Sequence, residues 1–291
     1  MKGNIFDTEF YKKLENISLN VRMLMNEGAA GGRKSKAKGS SVEFSDYREY
    51  ARGDDFRRID WNAYGRFGKL FIKLFMEERE ALINIFIDSS KSMDFGEHKK
   101  SEMALKLSAV LSFLALNNLD RVCINDISEE NIKISKSMMG KNMFSSCIEH
   151  LQNIEFSGST DINRCIKKKA LNGRGVSVII SDFFTEGNLE EVIKYLVYKK
   201  QEVILIHLLC KEELKPELEG QIRLIDSETG EARNIAVTSQ LLKRYEASLN
   251  EFTNNIKELT RKVGAHYMLI ESSDSIEKVV FEKFINTGII R

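Results

Sequence analysis

The residues best suited to chemistry are short oxygen-bearing side chains that follow apolar runs of the chain. Residues 85–96 read IFIDSSKSMDFG, in which a D-x-S-x-S spacing ends an apolar run. Residues 156–161 (FSGSTD) and 178–183 (VIISDF) carry similar residue types. Carboxylate, hydroxyl and water oxygens are the ligands that hard cations prefer. We therefore predict a Mg²⁺ or Mn²⁺ site whose protein ligands are Asp88, Ser90, Ser92, Thr160 and Asp182.

The predicted site leaves room for a ligand from outside the chain. Only Asp88 and Asp182 bring formal charge, because serine and threonine hydroxyls are neutral ligands. An octahedral cation would take water or a partner's carboxylate to complete its shell. We expect weak cation binding without that partner, and we expect the flanking residues Lys91 and Asp94 to tune the choice of partner.

The same residues are open to other interpretations. Short polar side chains after a strand also cap helices, so Thr160 and Asp182 are candidate caps. A scaffold with a vestigial metal site is a second alternative. The enzymatic alternative is a Mg²⁺-dependent phosphotransferase that uses Asp88 as nucleophile and resembles haloacid dehalogenases. Such enzymes need an acid two residues on, where this chain has Ser90, so we expect no enzymatic activity.

The elements that must position these residues follow an α/β pattern after residue 81. We predict strands over residues 82–87, 121–127, 176–181, 202–209 and 266–271, and helices over residues 99–118, 141–152, 161–171, 188–199, 239–263 and 275–286. This alternation predicts a doubly wound, mostly parallel sheet with helices on both faces. Ligands of such sheets bind outside the carboxyl ends of the strands, and we interpret the three polar segments as strand-end loops there. Residues 221–237 predict a hairpin around Thr229-Gly230 at an edge of the sheet.

Composition and charge narrow the class of protein. The chain has 291 residues and a formal net charge of +1, so overall charge does not favour a nucleic acid or a membrane surface as partner. No apolar run approaches the roughly 20 residues that a membrane-spanning helix needs. The four cysteines are scattered without a CxxC pair, which is typical of buried thiols in a reducing compartment. These features predict a cytoplasmic protein.

The N-terminal part of the chain has a different character. Residues 7–26 have helical periodicity, and residues 28–41 are rich in Gly, Ala and Ser, which predicts a loop. Residues 42–75 then mix aromatic side chains with acids and arginines, followed by a predicted strand over residues 70–75. In such a segment we expect rings to be buried, with Trp61 as an anchor, and we expect the arginines to pair with neighbouring acids rather than bind nucleic acid.

Three motifs of the predicted site resemble a known family of binding domains. The pieces DSSKS, GST and SDF are similar to the metal-ion-dependent adhesion site of von Willebrand factor A-type domains. The resemblance implies Mg²⁺ at the five residues named above, and it implies a domain that binds other proteins through that ion.

A longer resemblance covers most of the chain. Residues 43–78 are similar to the signature of the bacterial family called domain of unknown function fifty-eight, and the DSETGE turn at residues 226–231 is similar to a turn of that family. The family pattern matches at Tyr47, Arg48, Gly53, Asp54, Asp55, Asp60, Trp61 and Arg66. The resemblance implies a role as partner or adaptor of a MoxR-type AAA+ ATPase. Arg52 replaces the usual proline before Gly53, and the membrane helices of many relatives have no counterpart here.

The expectation that follows is one α/β domain of von Willebrand factor A type, residues 81–291, with residues 1–80 wrapped onto it as an N-terminal extension. We expect it to be a cytoplasmic protein-binding module with no membrane span.

Overall fold

The computed structural model describes residues 8–15, 19, 42–77, 81–129, 131–185, 187–227 and 230–290. The chain forms two compact units. Residues 1–23 together with 81–291 form what we call the α/β unit, and residues 24–80 form the signature unit. The predicted helix near the N-terminus is confirmed over α1 (Thr8–Leu14), whose Phe10 and Leu14 belong to the core of the α/β unit. The predicted loop over residues 28–41 lies outside the described residues.

The signature unit is an antiparallel strand pair with short helices in its connection. Its elements in chain order are β1 (Val42–Glu49), a 3-10 helix (Phe56–Arg58), α2 (Trp61–Phe67) and β2 (Phe71–Glu77). Asp55 accepts the backbone N–H of Arg57, and Asp60 accepts those of Asn62 and Ala63. Each acid therefore caps the helix that follows it, which stabilises the helix start.

The α/β unit is built on one mostly parallel sheet. Its strands are β3 (Leu82–Asp88), β4 (Arg121–Ser128), β5 (Asn131–Ile134), β6 (Met138–Met139), β7 (Gly175–Ser181), β8 (Gln201–Leu209) and β11 (His266–Glu271). The order across the sheet is β11-β8-β7-β3-β4-β5, with β6 also pairing with β4. The pairs from β11 to β4 are parallel, whereas β5 and β6 run antiparallel to β4. The carboxyl ends of β4, β3 and β7 therefore lie side by side.

Helices cover both faces of this sheet. They are α3 (Lys100–Asn117), α4 (Phe144–Gln152), α5 (Ile162–Lys168), α6 (Leu189–Tyr198), α7 (Lys211–Leu214), α8 (Ser239–Val263) and α9 (Ile276–Lys278), which continues as a π-helix (Val279–Phe284). In β3, Ile83, Ile85 and Ile87 join the core cluster that contains α3, whereas Phe86 joins the cluster that contains α5 and α6. Alternate residues of a strand point to opposite faces, so each face has its own core.

The predicted fold class is confirmed, and two details differ from expectation. The predicted strands and helices of the α/β unit occur within a few residues of their expected bounds. The predicted hairpin exists as β9 (Gly220–Ile225) and β10 (Ala232–Val237), but it forms a separate two-stranded sheet instead of an edge of the main sheet. Residues 228 and 229 at its turn lie outside the described residues. The short strands β5 and β6 were not predicted, because four and two residues carry too little periodicity.

Candidate functional site

The first loop of the site begins where β3 ends. Asp88 is the last residue of that strand, and its Oδ1 accepts the backbone N–H of Ser90 at 3.0 Å. The chain then turns through a short 3-10 helix, Lys91–Asp94. This turn brings the Oγ atoms of Ser90 and Ser92 to 2.9 Å from each other. One loop thus supplies three of the five predicted side chains.

The second loop reaches the site by a different route from the one expected. It connects α4 to α5, so it follows a helix and the prediction of a strand-end loop is wrong. Backbone hydrogen bonds hold it against its neighbours: Lys91 N–H donates to Gly158 O at 2.9 Å, and Ser157 N–H donates to Ser89 O at 2.8 Å. Thr160 forms an isolated bridge with Glu129, the residue after β4. Tertiary pairing therefore places Thr160 beside the strand ends.

The third loop follows β7 directly. Asp182 Oδ1 accepts the backbone N–H of Phe184 at 3.1 Å, which shapes the loop as a short turn. The hydroxyl of Thr185 donates to the backbone oxygen of Thr160 at 2.6 Å, so this loop is joined to the second.

Capping does not account for the polar side chains of the second and third loops. The helix caps are Asp161 for α5 and Asn188 for α6. The alternative that Thr160 and Asp182 are present as helix caps is therefore wrong.

The carboxyl group of Asp88 lies among groups from β3, from the loop after it and from β7. Ser181 Oγ donates to Asp88 Oδ2 at 2.6 Å, whereas the hydroxyl of Thr160 donates to the backbone oxygen of Ile127 at 3.4 Å. Burial and the nearby charge of Asp182 raise the pKa of Asp88, and the hydrogen bonds from Ser181 and Ser90 only partly oppose that rise. Because the carboxylates of Asp88 and Asp182 are buried close to each other and repel, added positive charge is favourable at this site.

A lysine that the sequence reasoning missed supplies part of that positive charge. Lys100, the first residue of α3, has a fully buried side chain, with 0% exposed. Its Nζ lies 2.7 Å from Asp182 Oδ2 and 2.6 Å from Glu213 Oε1 on α7. Burial lowers the pKa of Lys100, but the two carboxylates outweigh burial and the pKa is raised overall. The ammonium group therefore stays charged and neutralises one carboxylate of the site.

The donor set around Asp88 fits a hard cation. Neighbouring ligands of an octahedral Mg²⁺ lie about 2.9 Å apart when each is 2.0–2.1 Å from the ion, and the hydroxyls of Ser90 and Ser92 have that separation. Among the residues that the structure describes, no group of three or more Asp, Glu, His or Cys side chains is arranged to hold a metal. A cation bound here would therefore depend on hydroxyl oxygens and on ligands from outside the chain.

The residues that flank the site differ in availability. Lys91 is exposed, and its backbone rather than its side chain holds the second loop. Asp94 is engaged within the chain, because Lys99 Nζ lies 2.9 Å from both of its oxygens and Ser101 also donates to it. Phe184, two residues after Asp182, is 44% exposed. Sequence reasoning did not select this ring, although an apolar residue beside a predicted ligand was a usable signal.

The histidine that pairs with Ser181 across β7 and β8 is a core residue. His207 on β8 is buried, and its Nδ1 lies 2.9 Å from the hydroxyl of Tyr267. Burial lowers the pKa of His207 to about 4, so the ring is neutral at physiological pH. This buried, neutral ring is therefore part of the strand core rather than a catalytic base.

The signature residues form an interacting set inside their own unit. Asp60 accepts a hydrogen bond from the hydroxyl of Tyr47 at 2.9 Å, and Lys73 Nζ lies 3.1 Å from the same oxygen. The bond from Tyr47 is the main reason that the pKa of Asp60 is lowered to about 2. Arg48 pairs with Asp54 at 2.8 Å, and Gly53 has φ +104°, a turn conformation that suits glycine.

One expectation for the signature unit is wrong, and a second is confirmed for Arg48 alone. Trp61 is 63% exposed, so it does not serve as a buried anchor. Arg57, Arg58 and Arg66 form no ion pair with any acid in the described ranges, although Arg48 does. Aromatic and charged residue types do not reveal which of them face the interior, because the burial of each depends on tertiary packing.

Comparison with known proteins identifies a matching family and related chains. The profile of the family described as "Protein of unknown function DUF58" matches residues 46–254. The uncharacterized proteins Rv1480 of Mycobacterium tuberculosis and Mb1516 of Mycobacterium bovis are each 22% identical over 272 residues. Each match covers 91% of this chain and 86% of the relative.

Several solved structures are similar in part. The conserved hypothetical protein BatB from Bacteroides thetaiotaomicron is 15% identical with a TM-score of 0.44, covering 71% of this chain and 98% of that protein. The VWA domain of SpRpn10 is 12% identical with a TM-score of 0.40, covering 70% of this chain and 95% of that domain.

Within the described residues, no helix combines the length and the apolar character required to cross a bilayer.

Proposed function

The chain belongs to the family described as protein of unknown function DUF58, and from that membership we propose that it is a protein-binding module of von Willebrand factor A type. Its binding face is the carboxyl edge of the sheet. A divalent cation, Mg²⁺ or Mn²⁺, is held there by Asp88, Ser90, Ser92, Thr160 and Asp182, and a carboxylate of the partner completes its shell.

One observation carries this proposal. Hydrogen bonds join three separate loops, 94 residues apart at their extremes (88 to 182), at one edge of the sheet. Two carboxylates and three hydroxyls leave a divalent cation short of ligands, so the site favours binding of an outside acid over a closed structural ion. The exposed Phe184 beside it offers an apolar contact for the same partner.

The partner class comes from the family resemblance. We propose a MoxR-type AAA+ ATPase as the partner and the cytoplasm as the location. The phosphotransferase alternative is disfavoured because Ser90 stands where such enzymes need an acid two residues after the nucleophile.

The test is a binding measurement with matched variants. The full chain serves as bait for the purified ATPase encoded in the same genome. It is expected to bind the ATPase when Mg²⁺ is present and to lose that binding when a chelator is added. The Ser90→Ala/Ser92→Ala double variant is expected to lose Mg²⁺-dependent binding, whereas Ser145→Ala, an exposed serine on α4, is expected to keep it. Equal binding with and without chelator would contradict the metal-dependent mode. Turnover of phosphate esters that is lost in Asp88→Ala would contradict the non-enzymatic function.

A further inference from the structure

The signature unit presents an aromatic stripe to solvent. Trp61, Tyr64 and Phe67 lie three residues apart on α2, so their side chains fall within about a third of the helix circumference. All three are exposed, and the rings of Trp61 and Tyr64 meet edge to face with centroids 6.3 Å apart. Exposed aromatic groups of this density mark interaction sites, where Trp and Tyr are enriched.

The carboxylates of the same unit are already engaged inside it. Asp60 is held by Tyr47, Lys73 and two backbone amides. Asp54 is held by Arg48 and by the backbone amide of Ala51. These acids are therefore unavailable to the remaining arginines.

The arginines that neighbour the stripe in the sequence keep their charge free. Arg57, Arg58 and Arg66 are exposed, and within residues 42–77 none of them forms an ion pair. The guanidinium of Arg57 lies 5.9 Å from the ring centroid of the exposed Phe56. Guanidinium groups next to aromatic rings bind carboxylates through paired hydrogen bonds while the rings bury apolar side chains.

We propose that this aromatic–arginine face, made of Phe56, Arg57, Arg58, Trp61, Tyr64 and Phe67, is a docking site for an acidic protein segment with interspersed apolar side chains. It is separate from the metal-dependent function and requires no cation. A nucleic acid fits less well, because it presents a charge at every nucleotide and Asp54 and Asp55 precede the arginines directly. A peptide can place its acids opposite the arginines alone.

The chain contains its own reporter for this face, because Trp61 is its only tryptophan. The probe is a synthetic peptide of repeated Glu-Glu-Leu units, added to the full chain in the presence of a chelator. Tryptophan emission is expected to shift to shorter wavelength and to saturate, because binding removes the exposed indole from water. The same peptide with Gln in place of Glu is expected to leave the emission unchanged.

Matched charge reversals decide whether the arginines are responsible. Arg57→Glu/Arg58→Glu is expected to weaken the affinity about tenfold, which corresponds to about 1.4 kcal/mol. Arg244→Glu, at an exposed arginine of α8, is expected to leave the affinity unchanged. The proposal is overturned if the acidic peptide does not shift the emission, or if oligo-dT or phosphatidylglycerol vesicles bind more tightly than the peptide. It is also overturned if both charge-reversal variants behave alike.

Discussion

Replacement of Lys100 by methionine tests the electrostatic description of the site most directly. The change keeps most of the volume but removes the ammonium that lies between Asp182 and Glu213. Removing one partner of a buried ion pair costs about 3–5 kcal/mol, because the other charge is left unpaired in the interior. Glu213 retains 15% side-chain exposure, so Asp182 accounts for most of that cost. For a unit of this size, each kcal/mol lowers the unfolding temperature by about 2–4 °C, which gives a decrease of roughly 6–20 °C.

Thermal unfolding followed by circular dichroism measures this effect in chelator. The matched control is Lys99→Met, since Lys99 is exposed and pairs with the exposed Asp94. An exposed pair contributes at most about 1 kcal/mol, so the control should remain close to the native chain. Lys100→Met within about 1 kcal/mol of the native chain would show that the ammonium is not a necessary counter-ion.

A divalent cation extends the same experiment to the proposed metal site. In Lys100→Met the carboxylate of Asp182 is free, so Mg²⁺ should bind more tightly and restore more stability than it adds to the native chain. Calorimetric measurement of Mg²⁺ binding tests the metal site separately from the counter-ion role of Lys100. If Lys100→Met is destabilised but neither protein binds Mg²⁺, the counter-ion role stands and the metal site is refuted.

Further predictions concern other parts of the molecule. Gly175→Ala should destabilise the α/β unit by more than about 1 kcal/mol, because the added Cβ would lie 2.5 Å from a backbone oxygen of β3. Unfolding in urea measures this change, and an unchanged midpoint of the urea transition would contradict the close approach of the strands. Asp60→Asn should remove stabilisation that is present above about pH 4 and is lost as pH falls toward 2, because the folded state lowers the pKa of Asp60 to about 2. Emission of Trp61 against pH follows this change, and parallel acid profiles of the variant and the native chain would refute it. Thiol reagents should label the native chain slowly and the unfolded chain at all four cysteines, because burial raises the pKa of Cys147 to about 11 and that of Cys210 to about 12. Rapid labelling of the native chain would contradict their burial.

Much of the site was predictable because its signals are local. The apolar run of β3 ends at Asp88, and that of β7 ends just before Asp182. Strand periodicity and the rule that parallel strands present their carboxyl ends at one edge suffice to place these two acids near each other. The position of Thr160 was predicted by its motif, although the prediction of its loop as a strand end was wrong. Its loop follows α4, and bridging to Glu129 brings it to the edge.

The sequence by itself determined the α/β alternation, the bounds of most elements and the identity of the polar residues at the strand ends, because each of these depends on neighbours a few positions away. Only the tertiary structure decided that Lys100 meets Asp182 and Glu213, which are 82 and 113 residues distant in the chain. It also decided that Trp61 is exposed while Lys100 is buried, the reverse of what their residue types favour. Burial and charge pairing are properties of the packed molecule, since they depend on which distant side chains fill the surrounding space.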